Sequence, residues 1–483
     1  MLFGSAVALW FALFLVLPAE LPFQSDVNSY VGGAAALSAG HGYRFEPYIN
    51  LPPVRTYPPG YASWLALFWK NGQPISVNSY RLEIGNWLAA GGVLAGLAGC
   101  LFISELSSWF GCTLLISFGT SVVFTQLMFW LMSDVLFTAG TCGLVLLVAT
   151  YDSRESGRRL SVWWLCAGLL IGVLCVLKAA TLGLAAGLGA YGLWKGDLRR
   201  LWRLVYFVVP PALTTLWFFH TGAVPSYAPS SSHFWSLYAL RSTVVDILYG
   251  TQRWLVTMFL NVPDRLPQAH FLQHGAGPAE VLIFILGLAV FAVPIFLGVR
   301  KNPREDKDRI ALFILGAYAL ELMLWSQYDG ARLPMPIIPF LLTFLWRGLP
   351  SKAARIAFLT VLAVNIPGNA WLSYKSLRSE EKESVQSLAE LRNAAYWINA
   401  TGGATALVAA GRDVPISHLY EYLGRRMLAN AGPSELGIDV DPAAQNNMRA
   451  GYIVTSASSP APSRHYHIDR RFGHWNVLAR NES

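Results

Sequence analysis

Residues 24–61 read QSDVNSYVGGAAALSAGHGYRFEPYINLPPVRTYPPGY and directly follow the first hydrophobic run of the chain. The stretch is too polar to cross a bilayer, and it is rich in aromatic residues, proline and glycine. Asp26 and Tyr30 are four residues apart, so on a short helix both side chains would point the same way, toward the membrane surface. A carboxylate in that position, with no acidic neighbour in the sequence, is a candidate general base.

The last five residues of this stretch are Tyr57-Pro58-Pro59-Gly60-Tyr61, and they predict a rigid, extended turn. Proline has no amide hydrogen, and it restricts the backbone of the residue before it. We expect this turn to return the chain to the membrane.

The composition is that of a polytopic membrane protein. Of the 483 residues, 54% are hydrophobic and 13% are charged, and the mean hydropathy is +0.42. Soluble domains have roughly 25% charged residues. The chain is long enough for on the order of ten transmembrane helices and one extramembrane domain. The net charge of +8 does not indicate a nucleic-acid partner, because the basic residues cluster in short loops between apolar runs.

The cysteines all lie in apolar runs, which predicts small core residues rather than a disulfide framework or a thiol site. They are Cys100, Cys112, Cys142, Cys166 and Cys175.

Apolar runs predict about eleven spans. No basic segment precedes the first run and no good cleavage site follows it, so we expect a retained helix rather than a signal peptide. The run from Ser161 to Trp194 has Lys178 as its only charge and suits two helices, with Lys178 at the hairpin tip. The predicted spans are 2–17, 83–103, 109–128, 131–150, 161–177, 179–194, 203–220, 279–298, 310–326, 334–347 and 356–372.

The basic loop residues predict the orientation. Clusters at 154–159, 195–203, 300–309 and 347–355 follow even-numbered spans, so they share one face, which the positive-inside rule makes cytoplasmic. The opposite face then carries the first outer loop, 19–82, the outer loop 221–278 and the C-terminus. We expect a bacterial inner (cytoplasmic) membrane protein with its polar site on the periplasmic face.

The composition changes near the C-terminus. A charged segment with helical periodicity runs to Asn399, followed by strand candidates at 404–410, 452–455 and 475–479 and a helix-like segment at 415–424. The expected fold is an all-α polytopic membrane domain, 1–375, followed by a small extracytoplasmic α/β domain, 376–483.

Ionisable residues at membrane depth are candidates for function. Lys178 either binds phosphate or extends its ammonium group to the interface, and Arg332 either binds phosphate or pairs with Asp329. Asp134, next to Ser133 at the outer start of a span, is either a site residue or a helix cap. The histidines at 465, 467 and 474 favour a surface location over a metal site, and no phosphate-binding loop of the G-x-x-x-x-G-K-[ST] type occurs.

Several features together resemble the GT-C membrane glycosyltransferases, in particular the protein O-mannosyltransferase and aminoarabinose transferase-like group. The chain has an outer Asp with Tyr four residues later, then Gly40-His-Gly-Tyr43, then the run 57–61. Further on it has Ser133-Asp134, the proline-rich segment after Arg332, and the soluble tail. The resemblance covers most of the chain.

The resemblance implies a transferase that uses a polyprenyl-phosphate-linked sugar, with Asp26 as the base. It also implies substrate-binding roles for Tyr30, His41, Tyr43, Tyr57, Tyr61, Asp134, Lys178 and Arg332. Metal-dependent relatives carry D-x-D where this chain has Asp26-Val27-Asn28. We therefore expect no required divalent cation and no other cofactor.

The chemistry of such a donor agrees with these roles. The leaving group is a phosphate, which is already a stable anion, so a single general base suffices. The expected partners are the donor, a lipid, glycan or protein acceptor, and the bilayer. A lipid-linked sugar flippase or transporter is the alternative from another class, although transporters tend to show repeats and midplane polar sites. A sugar-polymer ligase or polymerase shares the same substrates and sidedness.

Overall fold

The computed structural model describes residues 1–18, 26–49, 51–54, 57–103, 108–152, 157–178, 180–220, 282, 285, 287–301, 305–324, 335–403, 405–410, 414–428, 450–457 and 466–480. Most of these residues are helical. The helices are α1 Leu2–Phe14, α2 Asp26–Ser38, α3 Pro59–Ala66, α4 Ile75–Ile103, α5 Ser108–Gly119, α6 Val122–Phe129, α7 Ser133–Ala149, α8 Arg158–Leu177, α9 Thr181–Lys195, α10 Leu201–His220, α11 Val293–Arg300, α12 Asp306–Leu324, α13 Ile338–Gly348, α14 Lys352–Gly402 and α15 Ile416–Leu423. The strands are β1 Val408–Ala410, β2 Tyr452–Ser456, β3 Tyr466–Phe472 and β4 Trp475–Arg480.

Long apolar helices make the chain an integral membrane protein. Within the described residues, α4, α8 and α14 are long and apolar enough to cross a bilayer, and α5 with α6, bent by 52°, forms a fourth candidate. The described helices therefore do not reach the predicted number of about eleven spans. Some helices in the predicted spans are short, such as α1 with 13 residues and α7 with 17. Others, such as α12, carry too many charged residues to count as a helix that crosses the bilayer.

Paired helices build the bundle. α8 packs against α10, α9 against α12, and α4 against α7. Lys178 ends α8 in an extended conformation and α9 begins at Thr181, so the predicted hairpin with Lys178 at its tip is confirmed.

The basic segments meet at one end of the bundle. The ammonium of Lys195 lies 3.1 Å from the carboxylate of Asp306, and the guanidinium of Arg347 lies 2.6 Å from that of Asp308. Lys301 Nζ donates to the carbonyl oxygen of Arg347 at 3.2 Å. Three of the four basic clusters therefore share a face, as the sequence predicts. The polar residues of 24–61 belong to the opposite end.

A 51-residue helix joins the membrane part to the C-terminal domain. At 1.5 Å per residue, α14 is about 75 Å long, more than twice the roughly 30 Å of the hydrocarbon core. Its first half packs on α5 and α6, and its second half packs on α15, β3 and β4. The expected domain boundary at 375/376 falls inside this continuous helix.

A small sheet covers the end of α14. Within the described residues it has four strands in the order β1-β2-β4-β3, with β1 parallel to β2 and the other pairs antiparallel. The strand candidates near 408, 452 and 475 and the helix near 416 are confirmed. β3 was not predicted, because its charged sequence YHIDRRF lacks an apolar alternation and its side chains are largely exposed.

The first extramembrane loop is joined to this sheet domain. Tyr48 forms a parallel bridge with Met427 and is 1% exposed within the core of the domain. The amide of Met427 donates to Pro47 at 2.9 Å, and the amide of Ile49 donates to Met427 at 2.8 Å. The first loop and the C-terminal domain therefore lie on the same side of the bundle.

The cysteine prediction is partly wrong. All five are free thiols, and Cys100, Cys112 and Cys142 are buried as expected. Cys166 is exposed on α8, and Cys175, on the same helix, is half-buried at the edge of the helix core.

Candidate active site

Asp26 is the first residue of α2, and its side chain is half-buried. The hydroxyl of Tyr57 donates a hydrogen bond to Asp26 Oδ1. The start of α2 is thus tied to the chain just before α3. The helix predicted from the spacing of Asp26 and Tyr30 is confirmed, and the carboxylate has a fixed partner.

Three tyrosines pack beside this carboxylate. The ring of Tyr30 lies 5.0 Å from that of Tyr57 and 4.9 Å from that of Tyr61, between ring centroids. The hydroxyl of Tyr30 shares a 3.2 Å hydrogen bond with Ser133 Oγ, and Tyr61 donates to Asn86 Oδ1 at 3.1 Å. Tyr30 and Tyr61 are buried, so they support the site from within and connect α2 and α3 to α7 and α4.

The proline-rich run starts a helix. Pro58 is extended, but α3 begins at Pro59, so the prediction of an extended turn is wrong from Pro59 onward. Proline suits the first position of a helix, where its missing amide hydrogen breaks no bond. Gly60 lets this helix touch the end of α8, because a Cβ there would overlap the carbonyl oxygen of Val176. Tyr43 donates to the carbonyl oxygen of Tyr57 at 3.1 Å and holds the run in place.

The end of α8 brings Lys178 to this region. Its ammonium group forms an ion pair with Asp134, with side-chain exposures of 17% for Lys178 and 2% for Asp134. Lys178 also interacts electrostatically with Glu321 near the end of α12. The Glu321 carboxylate accepts a 2.8 Å hydrogen bond from the amide of Gly183 at the start of α9. Lys178 is therefore ion-paired with Asp134, and Glu321 is close enough to add to the negative field around its ammonium group.

Asp134 does not act as the cap of its helix. α7 begins at Ser133 with Met132 in the capping position, and no side chain makes a capping hydrogen bond there. Asp134 lies in the first turn and its carboxylate is used by Lys178. The helix-cap alternative for Asp134 is therefore wrong, and the ammonium group of Lys178 is held by an ion pair.

His41 lies away from Asp26. It follows the far end of α2, about 20 Å along the helix axis at 1.5 Å per residue. Its ring is 2.8 Å from the carboxylate of Glu46, which also lies 2.5 Å from the guanidinium of Arg426. His41 and Glu46 thus belong to the contact with the sheet domain. Arg332 lies outside the described residues.

Solved structures show which fold this is. The crystal structures of ArnT from Cupriavidus metallidurans match with a TM-score of 0.57 and 14% identity, over 99% of this chain. One, bound to undecaprenyl phosphate, is covered over 97% of its length and the other, in the apo state, over 96%. The chain has the ArnT fold. ArnT is an aminoarabinose transferase and a GT-C glycosyltransferase.

The arabinofuranosyltransferase AftD from Mycobacteria matches with a TM-score of 0.46 and 12% identity, over 100% of this chain and 40% of AftD. No family model and no curated sequence matches the chain.

Sequence reasoning missed three polar residues of this ArnT-like bundle. Glu321 was the one acid in an apolar run, and intramembrane acids are candidates by default, so a signal was present. Asn86 Oδ1 accepts a hydrogen bond from the hydroxyl of Tyr61, and Asn86 Nδ2 donates to the carbonyl oxygen of Met128 near the end of α6. Asn28 had been noted only as the residue that departs from D-x-D, and it bonds to the sheet domain.

The described acids and histidines do not gather into a metal cluster. Among the residues that the structure describes, no group of three His, Cys, Asp or Glu side chains could hold a metal ion. His474 pairs with Glu390 at 2.6 Å, and the ring of His467 is largely exposed on β3. His465 lies outside the described residues.

Proposed function

We propose that the chain is a membrane glycosyltransferase that moves a sugar from a polyprenyl-phosphate-linked donor to an acceptor hydroxyl on the outer face of the membrane. One observation carries the proposal: the Asp26 carboxylate, held by Tyr57, lies at the same end of an ArnT-like bundle as Lys178, Asp134 and Glu321, which we call the Lys178 cluster. The ArnT structure bound to undecaprenyl phosphate supports the donor class.

In the proposed reaction, Asp26 accepts the proton of the acceptor hydroxyl as the oxygen attacks the anomeric carbon. A new carbon–oxygen bond forms on one side of this carbon. The bond to the phosphate oxygen breaks on the other side, and its electron pair leaves with the polyprenyl phosphate. The configuration is therefore inverted. No second carboxylic acid is needed to protonate the leaving group, because phosphate is a stable anion.

The Lys178 cluster is proposed to hold the donor phosphate. The ion pair with Asp134 fixes the position of the ammonium group, which would otherwise sample many rotamers. A fixed cation stabilises the charge that develops on the departing phosphate without reorganising during the reaction. Arg332 is proposed as a second phosphate ligand, since its planar guanidinium suits bidentate contacts.

We further propose that the reaction needs no divalent cation. The position of the second acid of D-x-D is occupied by Asn28, whose amide is engaged in two hydrogen bonds. Treatment with a strong chelator should leave the turnover unchanged. A loss of turnover that Mg²⁺, Mn²⁺ or Zn²⁺ restores would contradict this part of the proposal.

Mass spectrometry of the purified protein tests the donor class. We expect a co-purifying polyprenyl-phosphate sugar, and release of free polyprenyl phosphate when an acceptor is added. A flippase would bind the same lipid but would leave its phosphate–sugar bond intact. A ligase or polymerase would carry a donor with the mass of an oligosaccharide. Intact donor under every acceptor condition would overturn the transferase proposal.

A further inference from the structure

The side chain of Asn28 joins the catalytic end of α2 to the C-terminal domain. Its Nδ2 donates to the carbonyl oxygen of Val414 at 3.0 Å, and its Oδ1 accepts from the amide of Ile416 at 3.1 Å. The residue is 5% exposed. Both bonds are buried and connect positions 386 and 388 residues apart in sequence.

The second of these bonds satisfies a helix end. Ile416 is the first residue of α15, and the residue before it, Pro415, makes no side-chain capping bond. The first amide groups of a helix have no partner within it, and a buried one without a partner destabilises the fold. Asn28 supplies the missing acceptor from another part of the chain.

The geometry of α2 separates two roles. Asp26 and Asn28 are two residues apart on a helix with 3.6 residues per turn, so their side chains point about 160° apart around the helix axis. Asp26 meets Tyr57, while Asn28 faces the sheet domain. The domain therefore holds the first turn of α2 from the side opposite the carboxylate.

We propose that Asn28 is a positioning residue, which clamps the first turn of α2 against the C-terminal domain and so fixes the direction of the Asp26 carboxylate. The inference rests on the proposed function, in which Asp26 is the base. A misplaced base loses rate steeply, because proton transfer needs hydrogen-bond distance to the acceptor hydroxyl. Donor binding, which uses the Lys178 cluster, does not depend on this clamp.

Other contacts keep the domain in place without Asn28. Glu421 on α15 accepts from the amide of Ile75 at the start of α4. Arg426 pairs with Glu46, and Met427 exchanges backbone bonds with Pro47 and Ile49. Removal of the Asn28 amide should therefore loosen the start of α2 and leave the domain docked.

Kinetics of full-length variants test the inference. We expect Asn28→Ala and Asn28→Asp to lower kcat at least tenfold, with the donor KM within about twofold of wild type. In Asn28→Asp a carboxylate oxygen would face the carbonyl of Val414, so it should not restore the rate.

Two controls should stay within about twofold of the wild-type kcat. Glu421→Gln weakens another interdomain bond, and Asn369→Ala removes an equally buried asparagine, 1% exposed, on α14.

Wild-type kcat in Asn28→Ala, or an equal loss in Glu421→Gln, would overturn the inference. The first result would mean that the clamp does not position the base. The second would mean that domain docking in general, rather than Asn28, sets the rate.

Hydrogen exchange gives a readout that needs no activity. In Asn28→Ala, the amide of Ile416 and the amides of residues 30–33, which bond to the carbonyls of the first turn of α2, should exchange at least tenfold faster, and those of β2 and β4 should be unchanged. Unchanged exchange in α2 would overturn the clamp. If the wild-type protein shows no transfer, the proposed function fails and the exchange result alone decides whether the clamp exists.

Discussion

The Tyr57 hydroxyl donates to the Asp26 carboxylate across 31 residues of sequence, and this bond joins the starts of α2 and α3. It places an acid, a phenol and two buried tyrosine rings at one end of the bundle. A general base must be held in one direction to act on a bound hydroxyl. Around Asp26, contacts come from the consecutive helices α2, α3 and α4 and from Ser133 at the start of α7.

The first prediction concerns the base. Asp26→Asn should lower turnover about 10²-fold or more, because asparagine cannot accept the proton, while expression, thermal stability and donor binding persist. The measurement is the rate of polyprenyl phosphate release. Asp306→Asn, a first-turn acid of α12 at the other end of the bundle, is the matched control. A well-folded Asp26→Asn protein with near wild-type turnover would remove Asp26 from the mechanism.

The second prediction concerns the phosphate site. Lys178→Ala should weaken donor affinity more than tenfold, equivalent to about 1.5–3 kcal/mol, and Arg332→Ala should act similarly. Lys178→Ala also leaves Asp134 buried without its cation, so the loss of stability should reach about 3–5 kcal/mol. Adding Asp134→Asn should restore stability and not affinity. Unchanged donor affinity in Lys178→Ala and Arg332→Ala would show that both residues are structural.

The third prediction concerns the contact between α3 and α8. Gly60→Ala should push these helices apart, since a Cβ would overlap the Val176 carbonyl oxygen. We expect about 1–3 kcal/mol of destabilisation and reduced turnover. Gly316→Ala is the control, because its Cβ would meet nothing within 4 Å. That change should stabilise α12 slightly through helix propensity. Equal melting temperatures for both variants would contradict the prediction.

The fourth prediction concerns pH and the C-terminal domain. Burial alone would raise the pKa of Glu390, but hydrogen bonds from the main chain and ring of His474 outweigh it and hold the pKa below its ordinary value of 4.5. The resulting stability is present above that value and is lost as the pH falls through the lowered pKa. Glu390→Gln should therefore be less stable than wild type at neutral pH, by about 0.5–1 kcal/mol because His474 is 42% exposed.

Thermal melts of both proteins from pH 7 downward provide the measurement. The difference between them should shrink once the pH falls below 4.5. A difference that persists in acid would mean that packing, not the carboxylate charge, causes it.

The fifth prediction concerns orientation. A fluorescent reporter that folds only in the cytoplasm, fused after Ser483, should leave cells dark, because the basic segments occupy the other face. The same reporter inserted between Asn302 and Pro303, within a predicted cytoplasmic loop, should give bright cells. Bright cells from the C-terminal fusion would reverse the orientation and move the proposed site to the cytoplasm.

Local patterns in the sequence were sufficient for several features. The spacing of Asp26 and Tyr30 predicted α2, and the single charge in a long apolar run predicted the hairpin at Lys178. Both depend on near-neighbour geometry, which the sequence contains directly. The sequence did not predict the start of α3. Proline disrupts the interior of a helix but is favoured at its first position, which Pro59 occupies.

Long-range partners could not be predicted in this way. Nothing near Asn28 indicates that its amide bonds to residues 414 and 416, and Asp134 gave no sign that its partner was Lys178. Such pairings depend on how distant segments pack. In the part of the chain that the structure describes, the candidate spans number fewer than the predicted eleven, because helices such as α1 are short and α12 carries several charged residues.

The pairing of Tyr48 with Met427 also determines an order of folding. Segments 46–49 and 426–428 lie about 380 residues apart, and the C-terminal domain buries Tyr48 in its core. At about 5–20 residues per second, roughly 20–80 s of synthesis separate them. Until Met427 is made, the carbonyl oxygen of Pro47 and the amide of Ile49 lack this backbone partner. The core of the C-terminal domain therefore includes Tyr48, which is synthesised long before the rest of the domain. In a chain truncated before Met427, this loop would lack its partner and be open to proteases.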